Sequence, residues 1–322
     1  MPTSYQIEDQ CNTWNYRAWL KDFRQACKVG TGFHALRQAV FQSTVQIVTS
    51  GHYSVGEKAV ELNDHGENDY LAVGTVFYPE TGQLLSTGQG THEATYFCLN
   101  ADCLETGHLL KRLGYRPAIL NMASRQNPGG GVLEGMGAQE ENLFRRSNLF
   151  RSLYQFANYA SNYGIPVHPT HQYPMGREST GIYSPGVTIF RSSEATGYYL
   201  LSQPYPLDII SVAAINRPSL VASKTGGGRI AEEMLEPIRV KIRAILRIGR
   251  YHQNDSLVLS AFGCGAYRTP PGYMAELFAE VLHEPEFHGA FRAVVFAIID
   301  DHNAWKEHNP EGNLIPFQKV FV

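Results

Sequence analysis

The stretch that decides the reading of this chain is ILNMASRQNPGGGVLEGMGAQEENLFRRSNLF, residues 119–150. It opens on the apolar run Ala118, Ile119 and Leu120, which predicts a buried strand. It closes on Leu143, Phe144 and Leu149, whose spacing predicts one amphipathic helix. Between them stand Asn127, Pro128, the three glycines Gly129, Gly130 and Gly131, and then Gln139, Glu140 and Glu141. Three adjacent residues without side chains let another molecule approach the backbone and let N–H groups turn toward an anion. Two carboxylates on the first helical turn beside such a loop mark a candidate reaction site.

Upstream, residues 1–32 carry Trp14, Trp19 and Phe23 with little periodicity and are read as an extension packed on the outside of the body, which begins at residue 33. A helix is predicted from Phe33, with Leu36, Val40, Phe41, Ile47 and Val48 at helical spacing and Gly51 placed to stop it. Residues 71–77 (LAVGTVF) and 94–99 (ATYFCL) are read as strands, and residues 104–113 as a short helix.

Downstream, residues 159–185 form a long loop rich in Tyr, Pro, His and Gly, a length uncommon in a compact domain unless it serves function. Strands are expected at 187–191 and 207–215, and a flexible break at 223–229 (SKTGGGR). A helix is expected from Pro237, its proline tolerated in the first turn. Residues 257–262 read as a buried strand, followed by a second glycine-rich turn, Gly263-Cys264-Gly265-Ala266-Tyr267. A helix on Met274, Leu277, Phe278, Val281 and Leu282 and a last strand at 293–299 complete the pattern. Strands without alternation, separated by helices, predict an α/β fold on a mixed, mostly parallel sheet covered on both faces. Ligands bind at the carboxyl ends of strands in such sheets, and both glycine-rich turns fall at that end. With no internal repeat and no linker, the body reads as one domain.

Composition narrows the function. At 322 residues with 43% hydrophobic and 18% charged content, the chain has the makeup of a soluble globular protein. A net charge of −3 gives no case for binding bare nucleic acid. The twelve histidines are scattered, without HExxH, so neither metal nor cofactor is expected. Five cysteines without a CxxC favour a reducing compartment, and no apolar run is long enough for a membrane. The expectation is an intracellular protein, cytoplasmic or, in a eukaryote, nuclear.

Each motif has a plainer reading. One glycine suffices for a strand-to-helix turn, so three after Asn-Pro point instead to a phosphate or diphosphate site; the loop is neither Walker A nor GxGxxG. Acids in a first turn are favoured by the helix dipole alone, so the residues leave the role of Glu140 and Glu141 open. Cys264 has no histidine near it in sequence and reads as a small buried filler. Tyr267 could stack on a sugar or plug the core. Gly226–Gly228 reads as flexible loop.

The combination NPGGG, seven residues, then QEE resembles the signature of the microbial-type poly(ADP-ribose) glycohydrolases, which are built on a macrodomain. LRQAVFQSTVQIVTSGHY, NADCLETGHLL, GIYSPGVTIFR, DIISVAAINR, LVLSAFGCGAYRTPP and FRAVVFAIIDD resemble further segments of that family in the right order, so the likeness spans about residues 36–301. It implies a three-layer α/β/α sandwich with ADP-ribose across the strand ends. It also implies Glu141 as general acid/base, Glu140 on ribose hydroxyls and Asn127 on the reacting ribose. Gly129, Gly130 and Gly131 would face the diphosphate, Gly263, Cys264, Gly265 and Ala266 would form a second diphosphate loop, and Tyr267 would lie beside the terminal ribose. Asn121 and Gln139 join the expected substrate-binding set. Where the family reads GAWGCG, this chain has Ser260-Ala261-Phe262-Gly263-Cys264-Gly265, and it has Tyr267 where the family usually has Phe.

The chemistry implied is hydrolysis of ribose–ribose O-glycosidic bonds by a carboxyl group that acts first as acid and then as base, without a metal. Poly(ADP-ribose) or ADP-ribosylated protein is the expected substrate and ADP-ribose the product, with a monomeric enzyme and no DNA or membrane partner. The alternatives are a hydrolase of mono-ADP-ribosylated protein and a non-catalytic ADP-ribose reader; an intact QEE argues against the reader.

Overall fold

Capping explains the first helix, which apolar periodicity alone does not announce. In the computed structural model, which describes residues 13–62, 70–84, 90–222, 228–301 and 303–322, α1 spans Tyr16–Val29. Asn15 Oδ1 accepts the Ala18 N–H at its start, and Gly30 closes it in the left-handed conformation. Helix α2 (Phe33–Ser50) ends at Gly51, also left-handed, as its sequence predicts. The hairpin β1 (His52–Val55) and β2 (Lys58–Glu61) follows.

Residues 71–77 are not a strand. Tyr70–Gly74 form the single-turn helix α3, and only Val76–Tyr78 (β3) is extended. Thr75 Oγ1 closes the turn by donating to the Leu71 carbonyl at 2.6 Å. Short apolar runs satisfy either periodicity, and local hydrogen bonding decided this one. Next come β4 (Thr95–Leu99), α4 (Cys103–Arg112), whose first turn is capped by Asp102, and β5 (Pro117–Met122).

The helix expected through Leu149 is two helices, α5 (Gln139–Arg146) and α6 (Leu149–Tyr154). Ser147 between them is extended and forms a bridge with Ile189. The later strands are longer than their apolar runs: β6 spans Gly181–Arg191 and β7 spans Leu200–Val212. Of the expected flexible break, residues 223–227 lie outside the described residues, whereas Gly228 belongs to β9 (Gly228–Ile230), paired with β8 (Leu220–Ala222). Helix α7 (Glu232–Tyr251) starts five residues before Pro237, which sits inside it; Glu232 and Glu233 occupy the first turn, where the dipole favours acids. The remaining elements are β10 (Ser256–Leu259), α8 (Pro271–Leu282), β11 (Ala293–Ala297) and α9 (Leu314–Phe321).

Seven strands form a mixed sheet in the order β3-β6-β7-β5-β10-β11-β4. Pairings β7–β5, β5–β10, β10–β11 and β11–β4 are parallel, and one row runs through Asp208, Ala118, Leu257, Val294 and Tyr96. The chain divides into two compact units. The first comprises Met1–Val76, Gln126–Pro174 and Ser184–Pro206, and the second Phe77–Arg125, Met175–Tyr183 and Leu207–Val322.

In the second unit the apolar runs of β5, β10 and β11 meet Ile242, Ile245 and Leu246 of α7 and Met274, Leu277 and Phe278 of α8 in one core. Each such buried side chain contributes about 1.5–3 kcal/mol. In the first unit Phe41 of α2 packs against Phe144 of α5 and Phe150 of α6 at 6.2 and 6.0 Å between ring centroids. Among the described residues no helix is long and apolar enough to cross a membrane.

Candidate active site

In the first unit, α5 begins without a side-chain cap, Ala138 being extended, and puts Glu140 and Glu141 on its first turn. Both are buried, at 3% and 7% exposure. Buried carboxylates need donors, and the glycine loop supplies them. The Gly129 N–H donates to Glu140 Oε1 at 3.1 Å, and the Gly131 N–H donates to Glu141 Oε1 at 2.9 Å. Glu141 Oε2 is buried without a hydrogen-bond partner among the described residues.

Each glycine has its own reason. Gly129 is left-handed (φ 79°), and a Cβ there would lie 2.6 Å from the Phe144 ring. Gly130 (φ 54°) lies against both acids: a Cβ would come 2.6 Å from Glu141 Oε1 and 3.2 Å from Glu140 Oε2. At Gly131 it would meet Met136 at 2.6 Å. The anions that these N–H groups meet are therefore the protein's own carboxylates. The third N–H, that of Gly130, donates to the Asn127 carbonyl at 3.0 Å and closes a turn. All three N–H groups of the loop are thus engaged by atoms of the protein itself.

The rest of the loop is pinned to α2 and to α5. His34 Nδ1 is 3.0 Å from the Gly135 carbonyl, and Gln38 Nε2 donates to the Leu133 carbonyl at 2.6 Å. Arg145, one turn after Glu141 on the same helix, donates through Nη1 to the Met136 carbonyl at 2.8 Å and through Nε to Tyr198 Oη at 2.9 Å. Tyr198 Oη donates in turn to Glu194, which holds Arg37 through two 2.7 Å bonds. Arg37 keeps the Glu194 carboxyl below its ordinary range, against the opposing effect of burial. Sequence reasoning missed Arg145, although its i,i+4 relation to Glu141 was a usable signal.

It also missed a group of phenols. Tyr154, Tyr159 and Tyr163 pack together, with ring centroids 4.7 Å apart for Tyr154–Tyr163 and 5.2 Å for Tyr154–Tyr159. Burial first, then the Tyr163 phenol and the Glu140 charge, push the Tyr159 hydroxyl up to about 12. The Tyr173 hydroxyl is driven upward by burial first and Glu140 next, and it is buried without a partner among the described residues. Three of these four phenols come from the long loop after α6. Of the expected substrate residues in this unit, Asn127 is exposed and Gln139 half-buried.

In the second unit, the turn after β10 folds on itself. Gly263 is left-handed (φ 76°), and its carbonyl accepts the Thr269 N–H at 3.0 Å. Cys264 is fully buried, its thiol 3.6 Å from the Phe262 carbonyl and pushed far above the usual thiol range by burial. His308 Nε2 lies 2.9 Å from the Cys264 carbonyl. Gly265 and Tyr267 are half-buried and Ala266 is exposed; the Tyr267 carbonyl accepts the Arg217 N–H at 2.8 Å. Asn121, on β5, is buried and donates to Ser211 Oγ at 3.0 Å. The structure thus brings Gly129, Gly130 and Gly131 together with Glu140 and Glu141 in one unit, and holds Asn121 and the Gly263–Tyr267 turn in the other. Among the described residues no group of three His, Cys, Asp or Glu is placed to hold a metal ion.

Known proteins resemble this chain in sequence and fold. The family described as the microbial-type poly(ADP-ribose) glycohydrolase (PARG) catalytic domain matches residues 41–192, which include the glycine loop and α5. The poly(ADP-ribose) glycohydrolase of Thermomonospora curvata, bound to the inhibitor ADP-HPD, is 30% identical, with 88% of this chain and 98% of that one covered at a TM-score of 0.68. That of Deinococcus radiodurans, in complex with ADP-ribose, is 30% identical, with 78% and 95% covered at a TM-score of 0.60. No curated protein sequence matches the chain. Fold and similarity define a glycosidase on a macrodomain-like α/β fold. The chain belongs to the microbial-type poly(ADP-ribose) glycohydrolases.

Proposed function

We propose that the chain cleaves ribose–ribose O-glycosidic bonds of poly(ADP-ribose) and releases ADP-ribose, with Glu141 as the general acid and base. The observation that carries this reading is the asymmetry of the Glu141 carboxyl group: Oε1 is held by the Gly131 N–H, while Oε2 is buried without a partner among the described residues. A buried polar atom without a partner costs free energy, and a substrate oxygen removes that cost.

The protonated Glu141 gives its proton to the departing 2′-oxygen as the anomeric C–O bond breaks through an oxocarbenium-like state. The carboxylate left behind takes a proton from water as the water oxygen bonds to the anomeric carbon, which restores the acid. Glu140, fixed by the Gly129 N–H, holds the ribose hydroxyls. The loop's part in binding lies in its lack of side chains, because its N–H groups are engaged. The Tyr173 hydroxyl, buried near the Glu140 charge, is a further polar group on the ribose side.

The test is incubation of the purified chain with automodified poly(ADP-ribosyl)ated protein and, separately, with mono-ADP-ribosylated protein, with products identified by mass. Free ADP-ribose from the polymer is expected. Release from the mono-modified protein alone would replace this reading with that of a mono-ADP-ribosyl hydrolase.

A further inference from the structure

Helix α1 carries Arg17, Lys21, Arg24 and Lys28 at positions i, i+4, i+7 and i+11, which lie on one helical face. All four are exposed. Asp22 is the helix's one acid, so four cations less one carboxylate give +3 over fourteen residues, within a chain of net −3. Several other surface cations pair with carboxylates, among them Arg239 with Glu280 at 2.8 Å, Arg243 with Glu284 at 2.7 Å, and Lys319 with Glu311 at 2.6 Å. Among the described residues Lys21, Arg24 and Lys28 have none. Like charges at i,i+4 are mutually destabilising, so a stripe left unneutralised calls for an anionic partner.

The opposite face of α1 fixes the stripe in place. Trp19 and Phe23 are buried, with Trp19 Nε1 donating to the Leu36 carbonyl at 2.9 Å. Just before the helix, Trp14 Nε1 donates to the Gly197 carbonyl at 3.0 Å. At the amino end aromatic rings adjoin the cations. The Arg17 guanidinium lies 5.7 Å from the Tyr16 ring, and Tyr16 meets Tyr199 edge-on at 5.8 Å, with Tyr199 39% exposed. The stripe spans about 16 Å at 1.5 Å per residue, too long for one phosphate and suited to a run of them.

We infer that this face of α1 is an exosite for the poly(ADP-ribose) chain itself, holding diphosphates and adenines of units other than the one being cleaved. The inference rests on the proposed function. Backbone anions met by a cation stripe, with bases stacking on neighbouring rings, is the mode by which unpaired nucleic acid strands are held.

The experiment compares the full chain carrying Glu141→Gln, used to prevent turnover, with the same chain carrying R17Q/K21Q/R24Q/K28Q in addition. Binding is measured to long poly(ADP-ribose), to ADP-ribose and to single-stranded RNA of matched charge, across a salt series. The fourfold variant is expected to bind the long polymer at least about tenfold more weakly. Its log–log salt slope should fall by up to about 3, at about 0.7 per lost phosphate contact, with ADP-ribose affinity unchanged. Unchanged polymer affinity and slope would overturn the exosite, as would RNA bound by the parent as tightly as the polymer. If the fourfold variant also loses ADP-ribose, the pairs R17Q/K21Q and R24Q/K28Q decide, each expected to give about half the loss on a logarithmic scale. A chain with native Glu141 that fails to hydrolyse the polymer removes the proposed function itself; one that hydrolyses it while the fourfold variant binds normally removes only the exosite.

Discussion

Glu141 receives the Gly131 N–H on Oε1 at 2.9 Å, and its Oε2 is buried without a partner among the described residues. One oxygen fixes the carboxyl group, and the proposed proton transfers use the other.

Glu141→Gln keeps the shape and an oxygen to accept the Gly131 N–H, but removes the titrating proton. Turnover of poly(ADP-ribose) should fall by ~10²–10⁴-fold, while ADP-ribose still binds in calorimetry. A role confined to the helix dipole would be worth only about 0.3–1 kcal/mol of stability. Turnover within a few-fold of the parent would remove Glu141 from the role of acid.

Gly130 and Gly114 separate backbone strain from active-site displacement. Both are left-handed (φ 54° and 83°), but a Cβ at 114 meets nothing within 4 Å, whereas one at 130 comes 2.6 Å from Glu141 Oε1. Each alanine substitution should cost roughly 1–2 kcal/mol of stability by denaturant titration. Only Gly130→Ala should also reduce turnover, by at least about tenfold. Equal turnover in the two variants would mean that the contact with Glu141 does not matter.

Cys264 is buried with its thiol raised far from the thiolate form, a poor state for a nucleophile. Cys264→Ser retains a donor for the Phe262 carbonyl and should keep turnover within a few-fold. A loss as large as that of Glu141→Gln would restore the thiol as a reacting group.

Activity should survive EDTA, because the proposed proton transfers run through Glu141 alone. Turnover that is abolished by chelation and restored by magnesium or zinc would contradict the mechanism.

His252 gives the second unit an acid limit. Its ring stacks on Tyr183 at 3.5 Å and its Nε2 meets Tyr78 Oη at 2.7 Å; burial, partly offset by Asp208, holds its pKa down at about 4. The unfolded chain takes up that proton near pH 6.5, before the folded one does. Stability from this group is therefore full above about pH 6.5 and declines as the pH falls toward 4. Melting followed over that range should show the decline in the parent and a shallower one in His252→Phe.

The sequence was informative where one residue type had one physical use. Gly51 and the apolar spacing of α2 marked its end correctly, and the buried runs of β5, β10 and β11 read directly as strands. The junction of the NPGGG loop with Glu140 and Glu141 was visible for the same reason. Long-range partners decided what was missed. α1 is held by a side-chain cap, a glycine and indole contacts to residues as distant as Gly197, and these leave little apolar periodicity. The break at Ser147 needed Ile189, which no local pattern announces. The destination of the glycine N–H groups was equally hidden, since a loop that binds an external anion and one that binds its own carboxylates are spelled with the same residues.

That destination bears on when the active geometry is set. Because backbone donors of the Gly129–Gly131 loop, rather than mobile side chains, hold Glu140 and Glu141, the proposed catalytic carboxyls are placed when the chain folds, before any polymer arrives. Substrate affinity is then not consumed in arranging them and remains for straining the ribose toward its flattened, cationic form. On this view the enzyme is preorganised for its transition state by main chain, and a change in loop backbone alters the rate more directly than a change in any exposed side chain around it.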